Sequence, residues 1–350
     1  MTQSPVRQVG TQVRGAVLSH YEEVSKRVGL NPLPLLRQMG LNRSLLTTPT
    51  QLFPVVKAVQ LLENSAKESG CPTFGLLMAE ARHLSDFGPI SLLLTHQPSL
   101  RSALSTIMDY RHLLNESLAM FIEDSGKTTL IREEVVTEQS GSIRQATELA
   151  LGALMLIFRA ILGPTWAAKS IHFTHSTPSD LQVYRRVFNC PIQFDSQFNG
   201  LVCLTADLDR PNSQANAVMA KYAQSFMDAM PRDGQRSIVS EVRKSIYLLL
   251  PMGRASVEQI SQGLGMNVRT LQRRLDESQV SFSDLINDVR SELAQRYILN
   301  TQHSLSRVAE QLGYSNLSSF TRWFTLQFGF SPNQMRKNAL ASSHWTARKI

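Results

Sequence analysis

The chain has 350 residues, 42% of them hydrophobic and 18% charged, which is enough for two globular domains that each bury a core. No apolar run approaches the ~18 residues of a membrane span, the N-terminus carries no secretion signal, and Cys71, Cys190 and Cys203 are too scattered for a disulfide framework. We therefore expect a soluble cytoplasmic protein that does not enter a membrane.

The positive charge is concentrated towards one end of the chain. Residues 231–350 carry a net +7 of the total +8. Such asymmetry is typical of proteins that bind a polyanion, but a solvated surface gives the same count. Charge alone leaves both interpretations open.

After a lead segment (residues 1–19), the pattern predicts a first domain over residues 20–206. It is helical up to about Leu114, because apolar residues recur there at three- and four-residue spacing. SLAMFIED and TTLIREEV then alternate around a polar turn, which predicts an antiparallel hairpin. A long apolar helix, RQATELALGALMLIFRAIL, precedes three predicted strands (SIHFTH, PIQFD and GLVCLT) and a further helix (SDLQVYRRVF). We expect an α+β fold with a mixed or antiparallel sheet.

This first domain lacks the sequence motifs of common catalytic sites. It has no GxSxG, HExxH or phosphate-binding glycine loop. His172 and His175 are three residues apart on a predicted strand, so they should point to opposite faces, and packing or surface roles are favoured over metal binding. We expect no enzymatic activity, no cofactor and no metal, and the sequence identifies no ligand-pocket residues.

A connection over residues 207–235 leads to a second, all-helical domain at residues 236–338, followed by a tail at 339–350. This domain opens with a helix-turn-helix unit. Ser256 starts a capping box, Gly265 permits a tight reversal, and Asn267 caps a second helix that turns Leu271 and Leu275 inward.

A second unit repeats this plan 48 residues later, where SLSRVAEQLGY matches SVEQISQGLGM. Its turn is one residue longer, and Phe320 and Phe324 take the places of Leu271 and Leu275. Between the units, SFSDLINDVRSELAQRYILN predicts one continuous helix of roughly 30 Å. Such a rod can hold two recognition helices about one turn of DNA apart, roughly 34 Å, so that both enter successive major grooves.

Residues 236–338 resemble the DNA-binding domain of the AraC/XylS transcription regulators, through VEQISQGLGMNVRTLQRRL, the linker run, LSRVAEQLGYSNLSSFTRWF and FGFSPNQMR. The first domain resembles, less closely, the arabinose-binding-domain group, which includes regulators similar to those of ornithine utilisation. The resembling stretches are DFGPISLLLTHQPSLRSAL and the helix and strands that follow RQATELAL. The resemblance implies promoter DNA and RNA polymerase as partners, activation rather than repression, and a first domain that binds an unidentified small-molecule effector, or forms a homodimer, or both.

Side chains suited to base edges lie on the outward face of the second helix in each unit, and the resemblance implies base contacts there. These residues are Arg269, Thr270, Gln272, Arg273, Asn316, Ser318, Thr321 and Arg322. Phosphate contacts are expected at helix N-termini and at nearby basic residues. The candidates are Ser256, Arg274, Ser304, Ser315, Arg336 and Lys337.

Two other functions remain open. The chain could be an enzyme with a DNA-targeting domain, although the missing catalytic motifs argue against it. It could also be an architectural DNA-binding protein without a ligand, although the first domain is far larger than a dimerisation element needs.

Overall fold

A computed structural model describes residues 11–137, 141–230, 237–299 and 303–338. The lead segment is thus described only from residue 11. The predicted tail and the end of the predicted connection, from residue 231, lie outside the described residues.

The first part of the first domain is helical, as the sequence predicts. Its helices are α1 (Tyr21–Arg27), α2 (Pro32–Gln38), α3 (Val55–Ser69), α4 (Phe74–Ala81), α5 (Ile90–Thr95), α6 (Leu100–Asp109) and α7 (Arg111–Leu114). Short 3₁₀ turns occur at Gly15–Leu18, Arg43–Leu46 and Leu84–Phe87. Two three-residue strands that the pattern does not reveal, β1 (Gln12–Arg14) and β2 (Leu52–Pro54), pair antiparallel beside these helices.

The predicted hairpin forms as β3 (Leu118–Ser125) and β4 (Thr128–Val135), with Leu118 opposite Val135. The sheet is completed by β5 (Ser170–His172), β6 (Ile192–Gln193) and β7 (Gly200–Leu204), in the order β3-β4-β7-β5-β6. Because β5 and β6 pair parallel while the other neighbours pair antiparallel, the sheet is mixed, as expected. β5 ends at His172, so the prediction that His175 lies on the same strand is wrong.

The long apolar helix α8 (Arg144–Leu162) is the central element of the first domain. Leu149 packs with the N-terminal helices, whereas Phe158 packs in the core beneath the sheet. The helix is long and apolar enough to cross a membrane, contrary to the sequence-based expectation, but 67% of its apolar window is buried inside the protein. A helix that is apolar on all sides is typical of a domain core.

Three further helices complete this domain: α9 (Gln182–Phe188), α10 (Thr205–Asp209) and α11 (Ala217–Ala229). Helix α11 falls within the predicted connection, and it packs against α5 with Ala223 and Met227 buried.

The described part of the second domain is helical, as predicted. Its helices are α12 (Ile238–Leu249), α13 (Val257–Gly263), α14 (Val268–Glu277), α15 (Phe282–Leu299), α16 (Leu305–Gln311) and α17 (Leu317–Phe328), followed by a helical segment at 332–338. A single apolar core joins them, with Ile246, Val289 and Phe324 among its fully buried members.

The β3–β4 hairpin separates this core from the first domain. Side chains alternate between the two faces of a strand. On one face, Met120 and Glu133 line a cavity inside the first domain. On the other face, Ala119 is buried in the core of the second domain and Phe121 packs against it. The β3–β4 hairpin therefore lies between the two domains, with one face towards the cavity of the first domain and the other towards the core of the second.

Candidate functional site

The first helix-turn-helix unit comprises α13 and α14, each capped as the sequence predicts. The Ser256 hydroxyl accepts the Gln259 amide at 3.2 Å, and the Asn267 side chain accepts the Thr270 amide at 2.8 Å. Between the helices Gly265 has a φ of 68°, which a side chain would disfavour. Leu271 and Leu275 are buried, so the rest of α14 faces outward.

The second unit, α16 and α17, repeats this geometry. Ser304 caps α16 through the Arg307 amide at 3.2 Å, and Asn316 caps α17 through the Ser319 amide at 2.8 Å. Gly313, in the turn, has a φ of 78°. Its core is aromatic: Phe320 and Phe324 are buried and contact Trp323. The two units thus share a backbone arrangement, but the buried side chains of the second helix are leucines in the first unit and phenylalanines in the second.

Helix α15 lies between the two units and is continuous from Phe282 to Leu299. It begins at the predicted capping box, in which the Ser281 hydroxyl accepts the Asp284 amide and the Asp284 carboxylate accepts the Ser281 amide. Its 18 residues extend about 27 Å. Leu285, Val289 and Leu293 are buried along its length, which fixes the helix between the units.

The eight predicted base-contact residues lie in or at the start of α14 and α17, and none is buried. Thr270 and Thr321 are half-buried, and the others are exposed. The Asn316 side-chain oxygen accepts the capping hydrogen bond, and its amide nitrogen donates to the Ser315 hydroxyl at 3.4 Å. The Arg273 guanidinium lies 3.8 Å from Glu277, and both side chains are more than 60% exposed, so this ion pair is weak.

The predicted phosphate-contact residues are less uniform. Ser256, Ser304 and Ser315 are exposed at the starts of the helical regions, and Arg274 and Lys337 are exposed on helix surfaces. Arg336 differs because it is half-buried and donates to the backbone carbonyls of Ile298 and His303. It therefore ties the end of α15 to the second unit.

Both helix-turn-helix units are attached to the first domain. The Arg254 guanidinium, just before α13, donates to the Glu123 carboxylate of β3 at 2.7 Å. On the second unit, Arg307 of α16 donates to the backbone carbonyl of Asp195. These contacts allow a change in the first domain to reach either unit.

A polar cavity of about 230 Å³ lies at this domain boundary. Its walls come from Glu134, Arg144 and Asn199 of the first domain and from Arg296 and Tyr297 of α15. The Asn199 amide donates to Glu134 at 3.0 Å, and Arg296 donates to the Thr137 carbonyl at 2.9 Å. The polar lining is typical of a hydrated junction.

Beside this junction, the carboxylate of Glu148 is fully buried. It accepts from Arg144 at 2.6 Å and from the Tyr184 hydroxyl. Burial raises the pKa of Glu148 to about 7, against the opposing effect of Arg144. His175 lies 3.3 Å from this carboxylate, and burial lowers the pKa of its imidazole to about 4. Among the described residues, no group of three or more His, Cys, Asp or Glu is placed to hold a metal ion.

A second cavity, of about 110 Å³, lies inside the first domain between β4, α3 and α8. Most of its walls are aliphatic, but Arg82, Asp86, Asn115, Ser117 and Glu133 also line it. Sequence reasoning missed Arg82 and Glu133, and it could not separate Asp86 from an ordinary surface charge. The signal available was the run of charges in LIREEVV, since charged residues enclosed by β-branched neighbours in a strand are typical of a buried position.

Comparison with known proteins identifies the family. Residues 29–212, more than half of the chain, match the family described as the arabinose-binding domain of AraC transcription regulators, N-terminal. Residues 260–338 match a helix-turn-helix domain family. The chain belongs to the AraC family of transcription regulators. The predicted resemblance is thereby confirmed, and so are the α+β first domain and the helical second domain.

This AraC-family chain is similar along nearly all of its length to a curated relative. It is 27% identical to the transcriptional regulator VirS of Mycobacterium tuberculosis over 94% of this chain and 97% of VirS. It is 24% identical to the ornithine utilization regulator of Pseudomonas aeruginosa, over 79% and 82% of the two chains. The crystal structure of the regulator CdpR from Pseudomonas aeruginosa aligns with 90% of this chain and 98% of CdpR, at 19% identity and a TM-score of 0.43.

Proposed function

We propose that this AraC-family regulator is a cytoplasmic transcription activator that reads two successive major grooves of promoter DNA and responds to a small molecule bound by its first domain. The observation that carries the proposal is the pair of capped, outward-facing helices α14 and α17 joined by one continuous helix, α15. A rod of about 27 Å is close to the rise of one turn of DNA, roughly 34 Å.

In this proposal the base edges are read by the exposed faces of α14 and α17. Arginine donates to guanine, and glutamine or asparagine pairs with adenine. The side chains assigned to this role are Arg269, Thr270, Gln272, Arg273, Asn316, Ser318, Thr321 and Arg322. Leu317, 39% exposed beside them, is suited to a thymine methyl group.

Phosphate contacts orient the protein on the duplex without reading its sequence. We assign them to Ser256, Arg274, Ser304, Ser315 and Lys337, which are exposed, and to Arg336. Since Arg336 already donates through Nε and one terminal nitrogen, only its other terminal nitrogen is available to DNA.

RNA polymerase is the proposed target of activation, by analogy with the family. A regulator is favoured over an enzyme because the relatives that match this chain over most of their length are named as regulators. An architectural protein would bind DNA without sequence preference, so the binding experiment below separates it from a regulator.

A homodimer is also proposed, through the exposed face of α11. Val218, Tyr222 and Phe226 are spaced by four residues and are 62%, 70% and 57% exposed, while the opposite face of α11 packs on α5. A stripe of this kind can pack on its own copy about a two-fold axis. We expect Tyr222→Glu to convert a dimer into a monomer in light scattering, and a parent protein that is already monomeric would refute the interface.

The test of the main proposal is selection of bound sequences from a random duplex pool by the full-length protein, with and without a metabolite extract. Two short preferred blocks about one helical turn apart, roughly 10 base pairs, are expected. A changed yield or spacing with the extract is expected if the first domain senses a small molecule. Binding without any preferred sequence would support the architectural function instead.

A further inference from the structure

Two residues that line the apolar cavity of the first domain each carry a buried polar atom without a hydrogen-bond partner among the described residues. Arg82 is 7% exposed and Glu133 is 4% exposed. The unpartnered atoms are Nε of Arg82 and Oε2 of Glu133. Leaving such atoms unpaired away from water is unfavourable, so their presence in a cavity wall indicates a ligand that pairs with them.

Arg82 forms no direct ion pair among the described residues, although the nearby Asp86 carboxylate favours its charged form. Its terminal nitrogen donates to the backbone carbonyls of Ala16 and Val17 at 3.0 and 2.6 Å, and no ion pair within the described residues includes it. Asp86 lines the same cavity, but its carboxylate already accepts from the His83 amide and lies 2.9 Å from His20. Burial lowers the pKa of Arg82 to about 10, so the guanidinium remains charged at neutral pH.

Glu133 does not supply the missing negative charge. Burial, reinforced by the neighbouring Glu134 carboxylate, raises the pKa of Glu133 to about 8. Its side chain is therefore mainly protonated at pH 7, when it is a hydrogen-bond donor rather than an anion. The Arg82 guanidinium thus has no direct ionic partner among the described residues, and its Nε remains without a hydrogen-bond partner there.

The rest of the lining sets the size and polarity of the ligand. The cavity volume of about 110 Å³ has room for about eight non-hydrogen atoms, if each atom occupies about the volume of one water-sized sphere. The walls are aliphatic side chains from α3 and α8, among them Val59, Leu62, Leu149 and Leu154. These walls suit a hydrocarbon body, and the polar residues of the lining are few: Arg82, Asp86, Asn115, Ser117 and Glu133.

We propose that this cavity is the effector site and that it binds a monocarboxylate with a short aliphatic body, whose carboxylate contacts Arg82. This inference rests on the proposed function, in which the first domain senses a small molecule. A sugar fits less well, because most of the lining is aliphatic and a hydroxyl group buried there without a partner is unfavourable. We therefore expect a ligand other than the sugar in the name of the domain family.

The position of the cavity also connects the ligand to the DNA-binding domain. Met120 and Glu133 face the cavity from the β3–β4 hairpin. Ala119, on the opposite face of the same hairpin, is buried against the second domain. A ligand that moves the hairpin therefore displaces a surface on which the second domain packs.

The test is calorimetric titration of the full-length protein with hexanoate, which has eight non-hydrogen atoms, compared with 1-hexanol and L-arabinose. We expect hexanoate to bind at least tenfold more tightly than hexanol, and arabinose to give no binding heat. Arg82→Gln should weaken hexanoate binding at least tenfold. The matched control is Arg159→Gln, because Arg159 also donates to backbone carbonyls, those of Trp166, Val187 and Phe188, but does not line the cavity.

If Arg82→Gln does not fold, Ala153→Leu provides the second variant. Ala153 is a half-buried residue of the cavity wall, and the larger side chain occupies the space of the ligand body. It should also weaken hexanoate binding at least tenfold.

Equal binding of hexanol and hexanoate, or no binding of hexanoate, overturns the carboxylate assignment. If the metabolite extract then still changes the selected DNA sites, the proposed regulator stands and only the ligand class fails. If hexanoate does not bind and the extract does not change the selected DNA sites, the proposed sensing function is wrong as well.

Discussion

Glu133 and Glu148 of the first domain are almost completely buried, whereas Arg273 and Arg322 of the second domain extend into solvent. Burial shifts the pKa of both glutamates upward, to about 8 and about 7. Among the described residues, Arg273 forms a weak ion pair with Glu277. Charged side chains are thus buried in one domain and exposed to water in the other.

This contrast reflects the size of the partner that each domain is proposed to meet. A small ligand can be surrounded, so a buried charge can be reserved for it at a cost in stability. A DNA duplex cannot be surrounded, and its charge is met by side chains that are hydrated until it arrives. Substitutions should therefore change stability and its pH dependence in the first domain, and DNA binding without a change in stability in the second.

The largest effect is expected from Arg144→Ala in the first domain. Arg144 donates to the fully buried Glu148, and removing one partner of a buried pair costs about 3 to 5 kcal/mol. Because Glu148 can escape by taking up a proton, the loss in the free energy of unfolding should be greater at pH 8 than at pH 6. Urea denaturation at both pH values measures it, with the exposed Arg185→Ala as control. An equally small loss in both variants would contradict the buried-pair interpretation.

Glu133→Gln should change the pH dependence of stability. The pKa of Glu133 is raised to about 8 in the folded protein. The folded state thus holds a proton that the unfolded state releases above its ordinary pKa, about 4.3. The contribution of Glu133 is most favourable at low pH and is lost as the pH rises towards 8, by about 1.4 kcal/mol per pH unit at most.

The glutamine variant lacks this dependence, so its advantage over the parent should grow between pH 5 and pH 8. Thermal or urea denaturation across this range measures the difference. Parallel stability curves for the two proteins would show that Glu133 is ionised in the fold.

In the second domain, Arg273→Ala and Arg322→Ala should each weaken specific DNA binding by about 1 to 3 kcal/mol and relax the preference at one position of the site. Their stability should stay within about 0.5 kcal/mol of the parent, because both side chains are exposed. Quantitative binding to the selected site and to single-base variants provides the readout. An unchanged base preference in both variants would remove these residues from the reading face.

The smallest effect is expected from Lys337→Ala, which should weaken binding to all DNA sequences similarly and lower the salt slope of affinity by about one. Titrations at several salt concentrations, on specific and random duplexes, measure both quantities. A loss confined to the specific site would instead indicate a base contact.

The sequence predicts most of the second domain, because its information is local. Caps such as Ser256, Asn267 and Ser281 act within three residues, and the structure places their hydrogen bonds where the spacing indicates. The hairpin and α8 are likewise readable from their periodicity. The base contacts and the domain limits stay predictions.

The cavity of the first domain could not be predicted in this way. Arg82 and Glu133 are 51 positions apart, and they line one space only because α8 and the sheet bring distant segments together. The sequence alone does not distinguish a buried charged residue from an exposed one, because the amino-acid type is the same. The pairing of β1 with β2 was missed for a related reason, since three residues are too few to show an alternation.

The hairpin between the domains has a consequence for how this protein can vary. Because successive side chains of a strand point in opposite directions, inserting or deleting one residue within β4 would exchange its two faces. Glu134 would then enter the cavity, and Glu133 would meet the DNA-binding domain. Homologous proteins that keep this arrangement should therefore vary more in the amino-acid sequence of this strand than in its length. Insertions should be confined to the turn around Gly126.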